Sequence, residues 1–303
     1  MQSRIIILGG SGLIGKRLAR QLKHNGSDVI IFSRNPEKYS KLNPEYIHIK
    51  WDVGNHESWK DYIIDAFGII NLAGVSIGGK RWTKKYKQEI LDSRLTSTNA
   101  LVEEIIKSGS PPRVLINASG VDYYGNTGDI KVDESSPAGD GFLASVCRRW
   151  EEAAFKALPK TRVVAARMGL VLAPDALAIK RLLLPFKLFI GGPLGNGRQW
   201  FPWIHIDDVV EMCKWIIENP DINGPINFVS PYQVTMKQFA KTLGYTMHRP
   251  SILPLPEFLL RIAVGESAGM IVNSKRVVPG VALDNNFHFK YEVLEKALSN
   301  IIS

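Results

Sequence analysis

One stretch near the amino terminus limits what this chain can become. Arg4-Ile5-Ile6-Ile7-Leu8 is an apolar run of strand length, and it ends in Gly9-Gly10-Ser11-Gly12-Leu13-Ile14-Gly15. A helical pattern follows at once, with Ile14, Leu18 and Leu22 on one face and Lys16, Arg17 and Arg20 elsewhere. The glycines satisfy G-x-G-x-x-G from Gly10 and the wider G-x-x-G-x-x-G from Gly9. In a strand–turn–helix unit this spacing has a mechanical meaning. One glycine permits the tight turn, one lets a pyrophosphate approach the backbone, and one lets helix and strand pack closely. The free N–H groups that open the helix, aided by its dipole, then face the phosphates. Gly9, Ser11, Gly12, Leu13, Ile14 and Gly15 are therefore expected to hold the diphosphate of a dinucleotide. An ordinary glycine turn in an α/β protein is the plain alternative.

The next strand, Asp28 to Ser33, bears on which dinucleotide. Units that take NAD usually carry an acidic residue at this strand's end, hydrogen-bonded to the adenosine ribose. This chain has Ser33-Arg34 there. A guanidinium pairs with a 2′-phosphate that a carboxylate would repel, so NADP (NADPH) is expected over NAD, with Ser33 beside Arg34. A merely solvated Arg34 is the alternative. Tyr46 to Lys50 reads as a third strand leading into Trp51-Asp52-Val53, from which Asp52 can reach the adenine edge. Phe67 to Leu72 reads as a fourth, running into Asn71-Leu72-Ala73-Gly74. Small residues at that end let a cofactor cross the sheet where strand order reverses, and Leu72, Ala73 and Gly74 are expected to line its path.

A long helix is predicted from Thr83 to Lys107, broken by Pro111-Pro112. Val114 to Asn117 is a fifth strand, Phe142 to Leu158 a helix, and Arg162 to Arg167 a sixth strand. Six alternations of strand and helix predict an α/β fold, a Rossmann-type doubly wound parallel sheet. Beyond Gly169 the pattern changes to a mixed apolar helix, Ala176 to Leu188, and a glycine-rich aromatic loop, Gly191 to Trp200. Phe201 to Ile206 reads as a short strand, with Asp207 or Asp208 capping the helix after it. From about Pro225 short elements are punctuated by prolines. The expected division is a dinucleotide-binding domain over 1–170, to which 201–230 returns. Segments 171–200 and 231–303 would form a small, discontinuous C-terminal lid or substrate domain. Trp200 and Trp203 are expected to pack rather than to serve as substrate platforms.

Composition narrows the classes further. The 303 residues are 45% hydrophobic and 22% charged, as in a soluble globular protein. No stretch approaches the length of a membrane span and no signal peptide precedes the first strand, so a cytoplasmic protein is expected. The two cysteines, Cys147 and Cys213, suit a reducing compartment. A net charge of +9 suits an anionic ligand. The densest basic group (Lys80, Arg81, Lys84, Lys85, Lys87) lacks interleaved stacking aromatics, which points to a solvated surface or an anion-binding rim rather than nucleic acid. The six histidines are scattered and support no metal site. A Gly-x-Ser-x-Gly elbow for a hydrolase is absent. The expected partner is a small-molecule substrate, with no nucleic acid and no membrane, for a monomer or a homodimer.

Taken together, Gly9–Gly15, Asn71–Gly74, Ser119 to Gly125 and Trp203-Ile204-His205-Ile206-Asp207-Asp208 resemble the extended and atypical short-chain dehydrogenase/reductases, the sugar-nucleotide epimerase/dehydratase group. Arg81-Trp82-Thr83, Ser93-Arg94, Phe142-Leu143, Cys147, Trp150-Glu151, Pro185-Phe186 and Gln199-Trp200 are similar to its "epimerase family protein" branch, the 39U type, over nearly the whole chain. The resemblance implies NADP binding without an established substrate. It also implies that Val171 approaches the nicotinamide end, with Glu89 a further addition near the start of the long helix.

The wider group relies on a tyrosine, a lysine four positions later, a serine and an asparagine. The lysine lowers the tyrosine pKa, so a tyrosine without it is a poor base. Aligned without gaps, the Tyr and Lys positions fall on Leu143 and Cys147, the Asn on Arg94, and the serine on or beside Ser119-Gly120. The chain's one Tyr-x-x-x-Lys, Tyr46 to Lys50, lies in the third strand. Ser119 and Tyr124 remain as catalytic candidates at the right strand end. Tyr123 and Tyr124 either serve acid chemistry or simply pack. Arg94 binds a cofactor phosphate or an anionic substrate, or forms a surface salt bridge. The sequence thus points to an NADP-dependent oxidoreductase or epimerase-like enzyme on a small molecule under the lid. The alternative is a non-catalytic NADP(H)-binding sensor or scaffold.

Overall fold

The computed structural model describes residues 3–302; Met1, Gln2 and Ser303, at the outer ends of the expected domains, lie outside the described residues. Seven short apolar runs form one parallel sheet: β1 (Arg4–Leu8), β2 (Asp28–Ser33), β3 (Ile47–Lys50), β4 (Gly68–Asn71), β5 (Val114–Gly120), β6 (Arg162–Met168) and β7 (Gly224–Phe228). Their order is β7-β6-β5-β4-β1-β2-β3, every pair parallel. The chain works outward from β1 to β3, crosses back to β4 and works outward again. The crevice of a doubly wound sheet therefore opens between the carboxyl ends of β1 and β4.

Alternation along the strands assigns each face its cover. Ile5, Ile7, Val29 and Ile31 pack under α1 (Leu13–His24), while Ile6, Leu8, Ile30 and Phe32 pack under α2 (Lys84–Lys107) and α3 (Phe142–Phe155). A third core lies beyond the sheet. It joins α4 (Leu177–Lys187), α5 (Ile206–Glu218), α6 (Met236–Met247) and α8 (Leu294–Ile302) through Phe186, Ile206, Phe239, Leu243 and Leu298. Helix α7 (Glu257–Val264) stands over the same region. Residues 170–172 and 203–205 pair as a separate two-stranded ribbon, as do 131–132 and 276–277.

Several expectations change. The seventh strand contains Pro225, which reads as a break in sequence; at a sheet edge a strand tolerates proline because one side carries no ladder. Strand β5 runs three residues past Asn117 because Ser119 and Gly120 stay in register with Arg167 and Met168. The expected Phe201–Ile206 strand shortens to Trp203–His205. Neither Asp207 nor Asp208 caps α5. His205 does, its ring nitrogen accepting the Asp207 N–H, while both aspartates sit in the first turn. In the C-terminal stretch, Ala282 and Phe289 pack into the core beneath the main sheet. Among the described residues, no helix is long and apolar enough to cross a membrane.

Candidate active site

The glycine turn is built as its spacing requires. Gly9 has φ +79°, and a Cβ on it would sit 3.0 Å from the Leu72 carbonyl carbon, so only glycine lets the turns after β1 and β4 touch. A Cβ on Gly15 would meet Gly10 Cα at 2.5 Å, which seats α1 directly on the turn. Gly12 is the N-cap of α1, with no side-chain cap and no acidic residue in the first turn. The opening N–H groups of Leu13 and Ile14 are left to an anion, which the helix dipole favours. Ser11, half-buried in the turn, completes this cluster.

At the end of β2 the buried Ser33 hydroxyl has no hydrogen-bond partner, an uncommon condition for such a group. Exposed Arg34 follows it, and the Trp51 N–H donates to Ser33 O at 2.8 Å, bringing Asp52 alongside. Asp52 Oδ1 accepts the Gly54 N–H, and its other oxygen lies 3.7 Å from Lys50 Nζ. An orphaned hydroxyl, an exposed guanidinium and an uncapped helix start along one edge fit a phosphorylated nucleotide. Leu72 to Gly74 lie across the crevice, held from below by a polar chain that sequence reasoning missed. Asn71 Nδ2 donates to Thr98 Oγ1 (2.9 Å) and Asn117 Oδ1 (2.7 Å), Trp150 Nε1 donates to Thr98, and Ala73 N–H donates back to Asn71 Oδ1. Gly74 lies against the Arg94 guanidinium. Val171 lines the neighbouring cavity. Glu89 is exposed on α2 and outside that lining.

Arg94 does not form the surface salt bridge considered from sequence. Its Nη1 donates to Val75 O (3.2 Å) and Ile90 O (3.0 Å), its Cζ lies 4.9 Å from the Trp150 ring centre, and burial lowers its pKa. Beside it, burial pushes the Cys147 thiol up to about 12, so it holds its proton at neutral pH. Leu143 is half-buried on α3.

Tyr124 is placed differently from a catalytic acid. It is 4% exposed, and its hydroxyl donates to Asn227 Oδ1 (2.7 Å) while accepting from Arg167 Nη1 (2.9 Å). Burial raises its pKa to about 12. Arg167 in turn forks onto Glu151, and Ser119 Oγ donates to the same carboxylate at 2.6 Å. Of the two catalytic candidates only Ser119 also faces the cavity; Tyr124 belongs to a buried network and is absent from the lining. Tyr123 stacks under the Arg167 guanidinium, 3.5 Å from its ring centre. Trp203 is buried and Trp200 donates to Asp129, so both pack.

The cavity has a volume of about 1120 Å³ and lies between the carboxyl ends of β5 and β6, the 76–81 loop and the lid helices. Two contacts join the lid segments to that loop, Arg181 Nη1 to Gly78 O at 2.9 Å and Arg81 against Gly265, and an ion pair of Glu266 with Lys87 joins them to the first turn of α2. Inside it, Lys275 Nζ lies 3.1 Å from Asp122 Oδ1 and also donates to Met270 O. Sequence reasoning missed this pair, since no motif links residues so far apart. A smaller cavity of about 360 Å³, lined by Arg4, Asp28 and Ile47, lies at the amino ends of the strands, away from the glycine turn. Among the described residues no cluster of three or more His, Cys, Asp or Glu side chains is placed to hold a metal ion.

The match to known families follows this division. Residues 5–229, the whole parallel sheet with its crevice, match the model of the NAD dependent epimerase/dehydratase family. The chain belongs to that family. Within the family, residues 255–301, the C-terminal part of the expected lid, match a domain of unknown function, DUF1731. The epimerase family protein YfhF of Bacillus subtilis is 39% identical, covering 99% of this chain and 98% of its own length. The chloroplastic SDR39U1 homolog of Arabidopsis thaliana is 35% identical over 99% of this chain and 87% of its own. The crystal structure of human epimerase family protein SDR39U1 (isoform 2) with NADPH superposes with a TM-score of 0.89 at 32% identity, covering 98% of each chain.

Proposed function

We propose that this family member is an NADP-dependent oxidoreductase or epimerase-like enzyme acting on a small molecule in the lid cavity. The observation that carries the reading is the end of β2, where an unpartnered Ser33 hydroxyl and an exposed Arg34 stand with no carboxylate in the position that selects NAD. The human relative crystallised with NADPH supports it. Gly9, Ser11, Gly12, Leu13, Ile14 and Gly15 would hold the diphosphate, Ser33 and Arg34 the 2′-phosphate, and Asp52 the adenine side. Leu72, Ala73 and Gly74 would line the middle, and Val171 the nicotinamide end. Glu89, exposed on α2, would be a weaker addition to this cradle. Bound NADP(H) would supply hydride exchange.

The chain's own residues must manage the proton without a Tyr–Lys pair. Ser119 keeps a lone pair for a substrate hydroxyl, because its own proton is given to Glu151. Arg94, desolvated beside Gly74, offers positive charge to a developing oxyanion or a phosphate. The partner is a small molecule rather than nucleic acid or a membrane, and the protein works in the cytoplasm as a monomer or homodimer. A second reading, an NADP(H)-binding sensor or scaffold without catalysis, is favoured by Leu143, Cys147 and the locked Tyr124.

A panel of carbonyl compounds incubated with the NADPH-loaded protein, and of nucleotide sugars incubated with the NADP-loaded protein, followed by nicotinamide absorbance and product analysis, separates the two. Oxidation of NADPH by a carbonyl compound, or conversion of a nucleotide sugar to a new product, supports the enzyme. Tight NADPH binding with no turnover across the panel supports the sensor.

A further inference from the structure

The lid cavity has a chemical character of its own. Its inner wall is contributed by α4, α6 and α7 with apolar side chains, among them Leu182, Phe186, Phe239, Leu243 and Leu260. Apolar groups continue to the mouth, where Leu177, Ile190 and Leu253 are each half or more exposed, at 53%, 54% and 50%. Isolated exposed leucines are ordinary, but a run of them continuous with a cavity marks a surface suited to an apolar ligand. The charged side chains of the lining fall in two places. Lys80, Arg81 and Arg181 stand at the exposed rim, where Arg181 is already engaged with Gly78 O. Asp122 and Lys275 lie inside, Lys275 only 4% exposed. A nucleotide sugar presents a diphosphate and many hydroxyls, and burying these against the α4–α6–α7 wall would leave them unpaired at a large cost.

We propose that the cavity takes a ligand with an extended apolar body and one uncharged polar end, a hydroxyl or carbonyl, hydrogen-bonded by the Asp122–Lys275 pair beside Ser119. Lys275 can donate to a carbonyl, and Asp122 can accept from a hydroxyl, so both redox states of such a ligand find a partner. The body lies along the lid helices. This rests on the reading of the cavity as the substrate site of an NADP-binding protein.

Titration calorimetry on the full chain saturated with NADP tests it, using straight-chain 2-alkanols of increasing length, the matching methyl ketones, and UDP-glucose. Affinity is expected to rise roughly threefold to fourfold per added methylene until the cavity is filled, with UDP-glucose weaker than the longest alcohol. Ala263 is an exposed cavity-lining residue of α7, and Ala263→Trp is expected to truncate the length dependence while leaving NADPH affinity unchanged. Lys275→Met is expected to weaken every member of the series by a similar factor. Affinity independent of chain length, or UDP-glucose binding more tightly than the longest alcohol, would overturn the proposal even where NADPH binds. Failure of NADPH itself to bind would instead overturn the reading beneath it.

Discussion

Arg167 of β6 and Glu151 of α3 face each other through two parallel hydrogen bonds of 2.9 and 2.8 Å, each residue only 3% exposed. The fork sits behind the strand end where the family's serine falls, and it ties Ser119 and Tyr124 into one buried array. Such an array resists the loss of any member, because the remaining groups are then buried unpaired. Of its members, Ser119 also lines the cavity.

Tyr124→Phe is accordingly expected to cost about 1–3 kcal/mol of stability, since Asn227 Oδ1 loses its donor and Arg167 one acceptor. NADPH affinity should not change. Urea unfolding alongside a cofactor titration checks both. An unchanged unfolding midpoint with abolished turnover would return Tyr124 to the role of acid.

Gly9→Ala should impair the crevice itself. The new Cβ combines a strained φ of +79° with a 3.0 Å approach to the Leu72 carbonyl. Gly26 is the matched control, with φ +83° and nothing within 4 Å of its Cβ position. Gly26→Ala is expected to cost about 1 kcal/mol from backbone strain alone, and Gly9→Ala more than that, with NADPH affinity also reduced. Equal losses in unfolding and unaltered NADPH binding for the two would show that the close approach carries no weight.

His205 gives the stability a pH dependence. Its Nδ1 accepts the Asp207 N–H and its Nε2 pairs with Asn300 Oδ1, which fixes the neutral tautomer, and Tyr291 stacks on the ring. Burial lowers its pKa from 6.5 to about 4, against the pull of Asp207. A depressed folded-state value means that the contribution is complete above 6.5 and is lost as pH falls toward 4, by up to about 3 kcal/mol. Asp208, raised by burial to about 6, works the opposite way, its contribution falling as pH rises through that value. His205→Gln should therefore flatten the acid limb of the stability profile between pH 6.5 and 4. An identical acid limb in the variant would refute this assignment.

Much of the fold could be read from residues because parallel strands buried on both faces announce themselves as apolar runs, as in Ile5 to Leu8 and Ile69 to Asn71. The glycine turn was legible for the same local reason. Strand β7 was not, since Pro225 gives the signature of a break and only its edge position makes it harmless. The Asn71–Thr98–Trp150 chain and the Asp122–Lys275 pair are long-range meetings that no local pattern encodes. The setting of Tyr124 was not legible either, because a tyrosine at the right strand end looks the same in sequence whether its hydroxyl faces a cavity or a buried arginine.

Arg34 is the residue expected to decide between the two dinucleotides. Paired calorimetric titrations of NADPH and NADH, on the natural chain and on Arg34→Ala, measure the 2′-phosphate contact by itself. The expected result is tighter binding of NADPH by the natural chain, with the Arg34→Ala change removing about 1.5–3 kcal/mol of the preference and leaving NADH affinity nearly constant. Equal affinities of the natural chain for the two dinucleotides would contradict it.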